Sequence, residues 1–288
     1  MPHPPTSNII TISGLTKKFG RKVVLSGIDL EINRGDSMAF VGRNGCGKST
    51  LLKIIAGLMP FEKGAVTHSG KLKFGYVPER FPRMNLTARD YIRQVGRISG
   101  LQKDDVAKRS SQFFKELFMQ DMADTPLQYL SKGTLQKIAV VQGFLTTPDV
   151  LILDEPISGQ DMASQQVFIK MVNTLNAHGV TILCSCHEEY MVRAIAKTVY
   201  EVAGGQLQPV EYGEKLELEN LVRLLFVKKH GGEIGQISQY VYDASVKLEM
   251  GEGQEVAIYA MPADSDGIIR AMLLDNYELR GLNDERIQ

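Results

Sequence analysis

The chain has 288 residues, enough for one large and one small domain with ordinary apolar cores that need neither disulfides nor metals. Its 33 basic residues balance 33 acidic ones, which excludes a global positive field of the kind that holds nucleic acid, and no nucleic-acid partner is expected. Three cysteines, Cys46, Cys184 and Cys186, fit neither a disulfide framework nor a zinc spacing and point to a reducing compartment. The start, MPHPPTS, has neither the basic nor the apolar segment of a signal peptide. No run approaches the roughly 18 apolar residues of a membrane span, so a role at a membrane would run through a partner.

In chain order, Asn8 to Ser13 and Val23 to Ile32 read as strands, with alternation clear in Ile28-Asp29-Leu30-Glu31-Ile32. The apolar run Ser37 to Val41 then meets Gly42-Arg43-Asn44-Gly45-Cys46-Gly47-Lys48-Ser49-Thr50, and helical spacing begins at Leu51. Strand, glycine loop and helix start together satisfy the phosphate-loop pattern G-x-x-x-x-G-K-[ST]. The glycines let backbone N–H groups turn inward, and the helix start adds the positive end of its dipole. Lys48 supplies an ammonium for the β- and γ-phosphates of a nucleotide, and the Ser49 hydroxyl is placed to ligate Mg²⁺.

Lys71 to Val77 reads as a further strand closed by Pro78, and from Thr87 to about Phe144 the spacing turns helical. Val150-Leu151-Ile152-Leu153 is continuously apolar, as in a strand covered on both faces of a parallel sheet. A helix from Met162 to His178, a strand from Val180 to Cys184 and a helix from Glu188 to Lys197 complete an α/β pattern. Gly204-Gly205 ends that regularity. Beyond Gly213, Leu221 to Val227 and Glu255 to Ala260 read as strands and Asp264 to Leu274 as a helix, a small α+β domain. The expected boundaries are 1–212, with a helical insert at about 80–145, and 213–288 as an accessory domain, regulatory or dimerising.

Asp154-Glu155 follows the buried strand directly, at the strand end where open α/β sheets place their ligands. Asp154 would hold Mg²⁺ through water and Glu155 would polarise the attacking water; a helix cap or solvated pair is the plainer alternative. With these residues in place, the chain resembles the ATP-binding cassette (ABC) family. Leu130-Ser131-Lys132-Gly133-Thr134-Leu135-Gln136-Lys137 is similar to its signature, L-S-G-G-Q followed by a polar and a basic residue, opening a helix. The resemblance implies a phosphate-loop ATPase core with an antiparallel β subdomain and a helical insert. It also implies ATP and Mg²⁺ sandwiched between two subunits, where Ser131 and Gly133 of one contact the γ-phosphate held by the other. Phe19 aligns with the aromatic that stacks on adenine, although a buried strand phenylalanine is the alternative reading. Ser158-Gly159-Gln160-Asp161 resembles the loop that crosses to the other subunit, and Asp161 could equally cap the next helix. His187 resembles the switch histidine that bonds the γ-phosphate; a loop histidine is the alternative. His3, His68, His178 and His230 have no such context.

The sequence departs from the family at Glu79, where a Mg²⁺-ligating glutamine is usual, and at Lys132 and Thr134 in the signature. L-S-K-G together with Tyr76-Val77-Pro78-Glu79 is similar to ATPase subunits of bacterial exporters of the bacitracin and lantibiotic resistance type. The implied function is an ATP-hydrolysing subunit coupled to a separate transmembrane permease, working as a homodimer or with a related ATPase. Arg80, Phe81, Met84 and Leu86 would form the groove for a permease helix. Such a subunit is cytoplasmic, peripheral at the inner membrane face through that partner. An ATP-dependent soluble switch of the same superfamily is the alternative.

Overall fold

The computed structural model describes residues 7–157, 160, 162–212, 221–229, 237, 241, 245–251 and 255–284. Alternating apolar residues make β1 (Asn8–Phe19) and β2 (Lys22–Asn33) an antiparallel pair, the side bearing Ile12, Leu15, Leu25 and Ile32 being buried. After β3 (Ser37–Val41) and α1 (Lys48–Ile55), β4 (Lys63–His68) pairs with the other edge of β1, giving the order β2-β1-β4.

The second sheet brings together β5 (Phe74–Val77), β6 (Val150–Asp154), β7 (Thr181–Ser185), β8 (Thr198–Ala203) and β9 (Gln206–Val210) around β3, in the order β5-β6-β7-β3-β8-β9. All pairs are parallel except β8 with β9. Every residue of β6 and β7 is buried, as the unbroken apolar run of β6 requires. One core cluster joins Leu51, Leu52 and Ile55 of α1 to Phe40, Ile152 and Leu183 of this sheet and to Ile12, Leu25 and Ile32 of the first. At about 1.5–3 kcal/mol per buried aliphatic side chain, that cluster is what fixes the helix behind the phosphate loop.

The helical region resolves into α2 (Ala88–Ile98), α3 (Lys103–Glu116) and α4 (Lys132–Phe144), with single 3₁₀ turns at Gln120–Met122 and Leu127–Tyr129. Thr87 caps α2 by accepting from the Asp90 N–H. α5 (Met162–Ala177) and α6 (Glu189–Ile195) flank β7 in sequence.

The chain divides into two compact units, residues 1–215 and 216–288. The second holds β10 (Val222–Lys228), β11 (Ser245–Met250), β12 (Glu255–Ala260), α7 (Pro262–Leu274) and β13 (Tyr277–Asp284). Its sheet is antiparallel in the order β11-β12-β10-β13, a split β-α-β arrangement in which α7 links β12 to β13. Leu224, Phe226, Ile258, Ile268, Met272 and Tyr277 make a core of its own. Five strands, β4, β8, β9, β11 and β13, go beyond the sequence expectation, and β5 begins at Phe74 instead of Lys71.

Candidate nucleotide-binding site

The loop between β3 and α1 depends on glycine at two points. Gly47, the residue before α1, has φ +121°, and a Cβ there would lie 3.0 Å from Val24 Cγ1 and 3.1 Å from Leu25 Cδ2. Gly42 has φ +133°, and its Cβ would meet the Val202 carbonyl oxygen at 2.7 Å. Lys48 is buried, and its ammonium donates to the Gly42 carbonyl at 2.8 Å and to His187 Nε2 at 3.2 Å. Because the lysine can only donate, Nε2 accepts and the ring proton sits on Nδ1. Burial, then the Lys48 charge, hold the His187 pKa below its ordinary value, in keeping with a neutral ring.

Ser49 Oγ donates to Asp154 Oδ1 at 2.7 Å, and Ser185 Oγ donates to the same oxygen at 2.8 Å. Tyr76 OH donates to Asp154 Oδ2 at 3.1 Å, and burial together with this carboxylate raises the phenol's pKa. Asp154 is thus a buried carboxylate held by three hydroxyls from α1, β5 and β7. Its neighbour Glu155 has φ +50°, a strained conformation for a residue with a side chain, and its N–H donates to the Ser185 carbonyl at 3.1 Å. Glu155 Oε1 is buried without a hydrogen-bond partner, although His187 Nε2 approaches to 3.0 Å. Burial lifts the Glu155 pKa to about 7, against the opposing pull of Lys48 and with a further push from Asp154.

Lys48, Ser49, Glu155 and His187 line an open cleft of about 770 Å³, which Asp154, Ser185 and Tyr76 do not border. Of the residues singled out in the sequence, Phe19, Asn44, Gly45, Gly47, Lys48, Ser49, Thr50, Glu79, Glu155 and His187 all line it. Phe19 ends β1 with its ring 51% exposed, so it is not a core phenylalanine. Lys17 Nζ lies 5.1 Å from that ring's centroid and is anchored by Glu62 at 3.0 Å. Glu79 is exposed, with Oε1 3.5 Å from Arg80 Nε. Cys46 is half-buried beside Gly42; neither lines the cleft, and Gly42 borders a smaller groove of about 330 Å³ that also includes His187.

Ser131 and Gly133 stand apart from this constellation. Ser131 caps α4, accepting from the Thr134 N–H at 3.1 Å, and neither residue borders the cleft. Asp161, with Ser158 and Gly159, lies outside the described residues. Three side chains take roles the sequence reading did not assign: Ser185, outside any motif, and Tyr76, within the Tyr76-Val77-Pro78-Glu79 stretch, both donate to Asp154, and Gln136, in the signature stretch, donates its Nε2 N–H to the Pro78 carbonyl at 2.8 Å and so ties α4 to the loop carrying Glu79. For Ser185 the sequence signal is a hydroxyl within an apolar strand, next to the stretch that carries His187.

Ser49 and Glu79 line the cleft, and Asp154, which does not, lies behind Ser49 as its hydrogen-bond acceptor; these oxygens are the hard donors that Mg²⁺ takes. Among the described residues no cluster of three or more His, Cys, Asp or Glu could hold an ion unaided. An ion shared with phosphate oxygens and water needs no such cluster.

Comparison with known proteins identifies the family and the fold. The ABC transporter family profile matches residues 25–158. The uncharacterized ABC transporter ATP-binding protein YhaQ of Bacillus subtilis is 29% identical, over 97% of this chain and 98% of that protein, a match that runs through the C-terminal unit. The uncharacterized ABC transporter ATP-binding protein MJ1023 of Methanocaldococcus jannaschii is 32% identical, over 71% of this chain and 77% of that protein. A solved dimeric ATP-binding cassette in a post-hydrolysis state with ADP and phosphate shares the fold, with TM-score 0.65 at 21% identity over 71% of this chain and 99% of that one. The chain belongs to the family of ABC transporter ATP-binding proteins.

Proposed function

We propose that this ATP-binding subunit is a Mg²⁺-dependent ATPase in which Glu155 is the general base. The observation that carries this reading is the buried, partnerless Glu155 Oε1 in the cleft that also holds Lys48 and Ser49. A carboxylate with pKa about 7 and an open lone pair is suited to take a proton from water at neutral pH. Lys48 then turns from the Gly42 carbonyl and His187 to the β- and γ-phosphates. His187 in turn presents Nε2 as a donor to the γ-phosphate, so the ring proton changes nitrogen when nucleotide enters. Magnesium held by Ser49, by Asp154 through water and by Glu79 would neutralise phosphate charge. Phe19 offers one ring face to the base while Lys17 occupies its surroundings.

The isolated signature start supports a two-subunit site. Ser131 and the Gly133 N–H lie at a helix N-terminus suited to phosphate but away from their own chain's cleft, so they serve the ATP of a second copy or of a related subunit. Asp161 is assigned to the same interface. ATP bridging favours closure and its loss favours reopening.

A separate membrane permease is the partner this cycle drives, docked at the segment carrying Arg80, Phe81, Met84 and Leu86. Phe81 packs edge-on to Tyr91 at 5.2 Å and so presents only part of its ring. Among the described residues no helix is long and apolar enough to cross a membrane, and the proposed location is the cytoplasmic face, held by that partner. The C-terminal unit is assigned an accessory role. The test is hydrolysis by the purified full chain with Mg²⁺ or with EDTA. Activity lost in EDTA and restored by Mg²⁺ is expected; activity indifferent to the metal overturns the reading.

A further inference from the structure

β11 is one edge of the C-terminal sheet; among the described residues it pairs with β12 alone. The register is Lys247↔Tyr259, Leu248↔Ile258, Glu249↔Ala257 and Met250↔Val256, and the Gly251 N–H donates to the Glu255 carbonyl at 2.8 Å. Hydrogen-bonded and non-hydrogen-bonded pairs alternate along an antiparallel ladder. Since Gly251 and Glu255 are a bonded pair, Glu249 and Lys247 also turn their backbone groups toward β12. The N–H and C=O of Leu248 and Met250 therefore point off the edge, a template for another strand.

The side chains along this edge are self-complementary. Lys247 and Glu249 share one face of the sheet, with Nζ 2.8 Å from Oε1. Leu248, between them, packs on the core, and Met250 is 49% exposed. We propose that β11 pairs antiparallel with β11 of a second copy of this chain, about a two-fold axis at Leu248. That axis makes Leu248 and its counterpart a hydrogen-bonded pair through the outward backbone groups, and sets Met250 against Val246 of the second copy. Each Lys247 then faces the other copy's Glu249 in a non-hydrogen-bonded pair, where facing side chains come closest. An axis at Lys247 or Glu249 sets like charge on like charge and requires backbone groups already committed to β12. An axis at Met250 leaves both lysines without an acid opposite. A lone edge lysine blocks pairing, but an acid two residues further along converts that block into a match with the same sequence reversed. The bulge between Ser245 and Lys247 keeps the shared ladder short and the contact weak.

Sedimentation of the full chain without nucleotide, from about 1 µM to about 1 mM, tests the pairing. Leaving ATP out makes the result independent of ATP-driven closure at the phosphate loop. Self-association is expected in the wild type, weakened about tenfold in Lys247→Glu and in Glu249→Lys, each of which opposes like charges twice. The double variant K247E/E249K restores it, and so does mixing the two single variants, which gives a heterodimer even if each swap costs some stability within its own strand. A wild type that stays monomeric, single variants that associate as the wild type does, or a mixture that forms no heterodimer would each overturn the proposal.

Discussion

The phosphate loop and the signature segment differ in how far one chain completes them. Lys48, Ser49, Asp154, Ser185, Glu155 and His187 come from α1, the ends of β6 and β7 and the loop after β7, and contacts of 2.7–3.2 Å join them within one chain. The Ser131 hydroxyl, by contrast, is engaged with Thr134 in the first turn of its own helix. A parallel sheet explains the first arrangement, because strands adjacent in space deliver their C-terminal ends to one edge however far apart they lie in sequence. The second segment, on an insert outside that sheet, has nothing within its own chain to act on. On the proposed two-subunit reading, binding and positioning belong to the first region, and the second bears on turnover when another copy supplies the nucleotide.

The largest expected effect falls on the first region. Glu155→Gln should lower turnover by about 10²–10⁴, the usual worth of a general base, while ATP is still bound and a closed dimer accumulates. Hydrolysis at the wild-type rate in a phosphate-release assay would remove Glu155 as base. Next comes Lys48→Ala. Losing charge-assisted bonds worth about 1.5–3 kcal/mol should cost roughly 10- to 100-fold in nucleotide affinity by calorimetry. Unchanged affinity would mean that Lys48 stays on Gly42 and His187 when ATP binds.

Acidity sharpens the same region by smaller steps. The Glu155 pKa of about 7 predicts that kcat/KM rises about tenfold per pH unit below 7 and levels above it. Stability should run the other way. The folded pKa lies above the unfolded value, so the native state holds this proton more tightly, and the resulting stabilisation is complete below about pH 4 and lost as pH rises through 7. Nucleotide-free Glu155→Gln, which cannot ionise, should therefore be more stable than the wild type at pH 8, by on the order of 2 kcal/mol, and draw level near pH 4. A gap independent of pH would assign the gain to packing instead of charge.

What could be read from the sequence follows the same division. The phosphate loop and the strand before Asp154 were legible because glycine spacing and an unbroken apolar run each have one physical reading. The α+β character of the tail was legible from the apolar runs Leu221 to Val227 and Glu255 to Ala260 and the helical spacing of Asp264 to Leu274. β4 and β9 were not, since Lys63–His68 buries no residue fully and Gln206–Val210 carries a proline on an edge strand. β11 escaped because its residues are only partly buried and its pattern is that of an edge. Ser185 and Gln136 act through partners distant in sequence, Asp154 and Pro78, so only the fold brings out their roles. The exposure of Phe19 removes the core reading and leaves base stacking as a proposal.

The smallest expected effect tests the signature segment, and it has two parts that separate its two roles. As the cap of α4, Ser131 satisfies one backbone N–H, and Ser131→Ala should cost about 1 kcal/mol of stability whatever the nucleotide. Ser131→Asp keeps a capping oxygen but adds a negative charge, so it should preserve stability while opposing a γ-phosphate. If Ser131 serves only its own helix, turnover should follow stability, and the aspartate variant should hydrolyse like the wild type. If it completes the site of another copy, the aspartate variant should lose more turnover than the alanine variant despite being the more stable of the two. ATP affinity of the dilute single chain should stay unchanged in both. That inversion of stability against turnover is something a cap alone cannot produce, and its absence in paired melting and hydrolysis measurements would return Ser131 to a purely structural part.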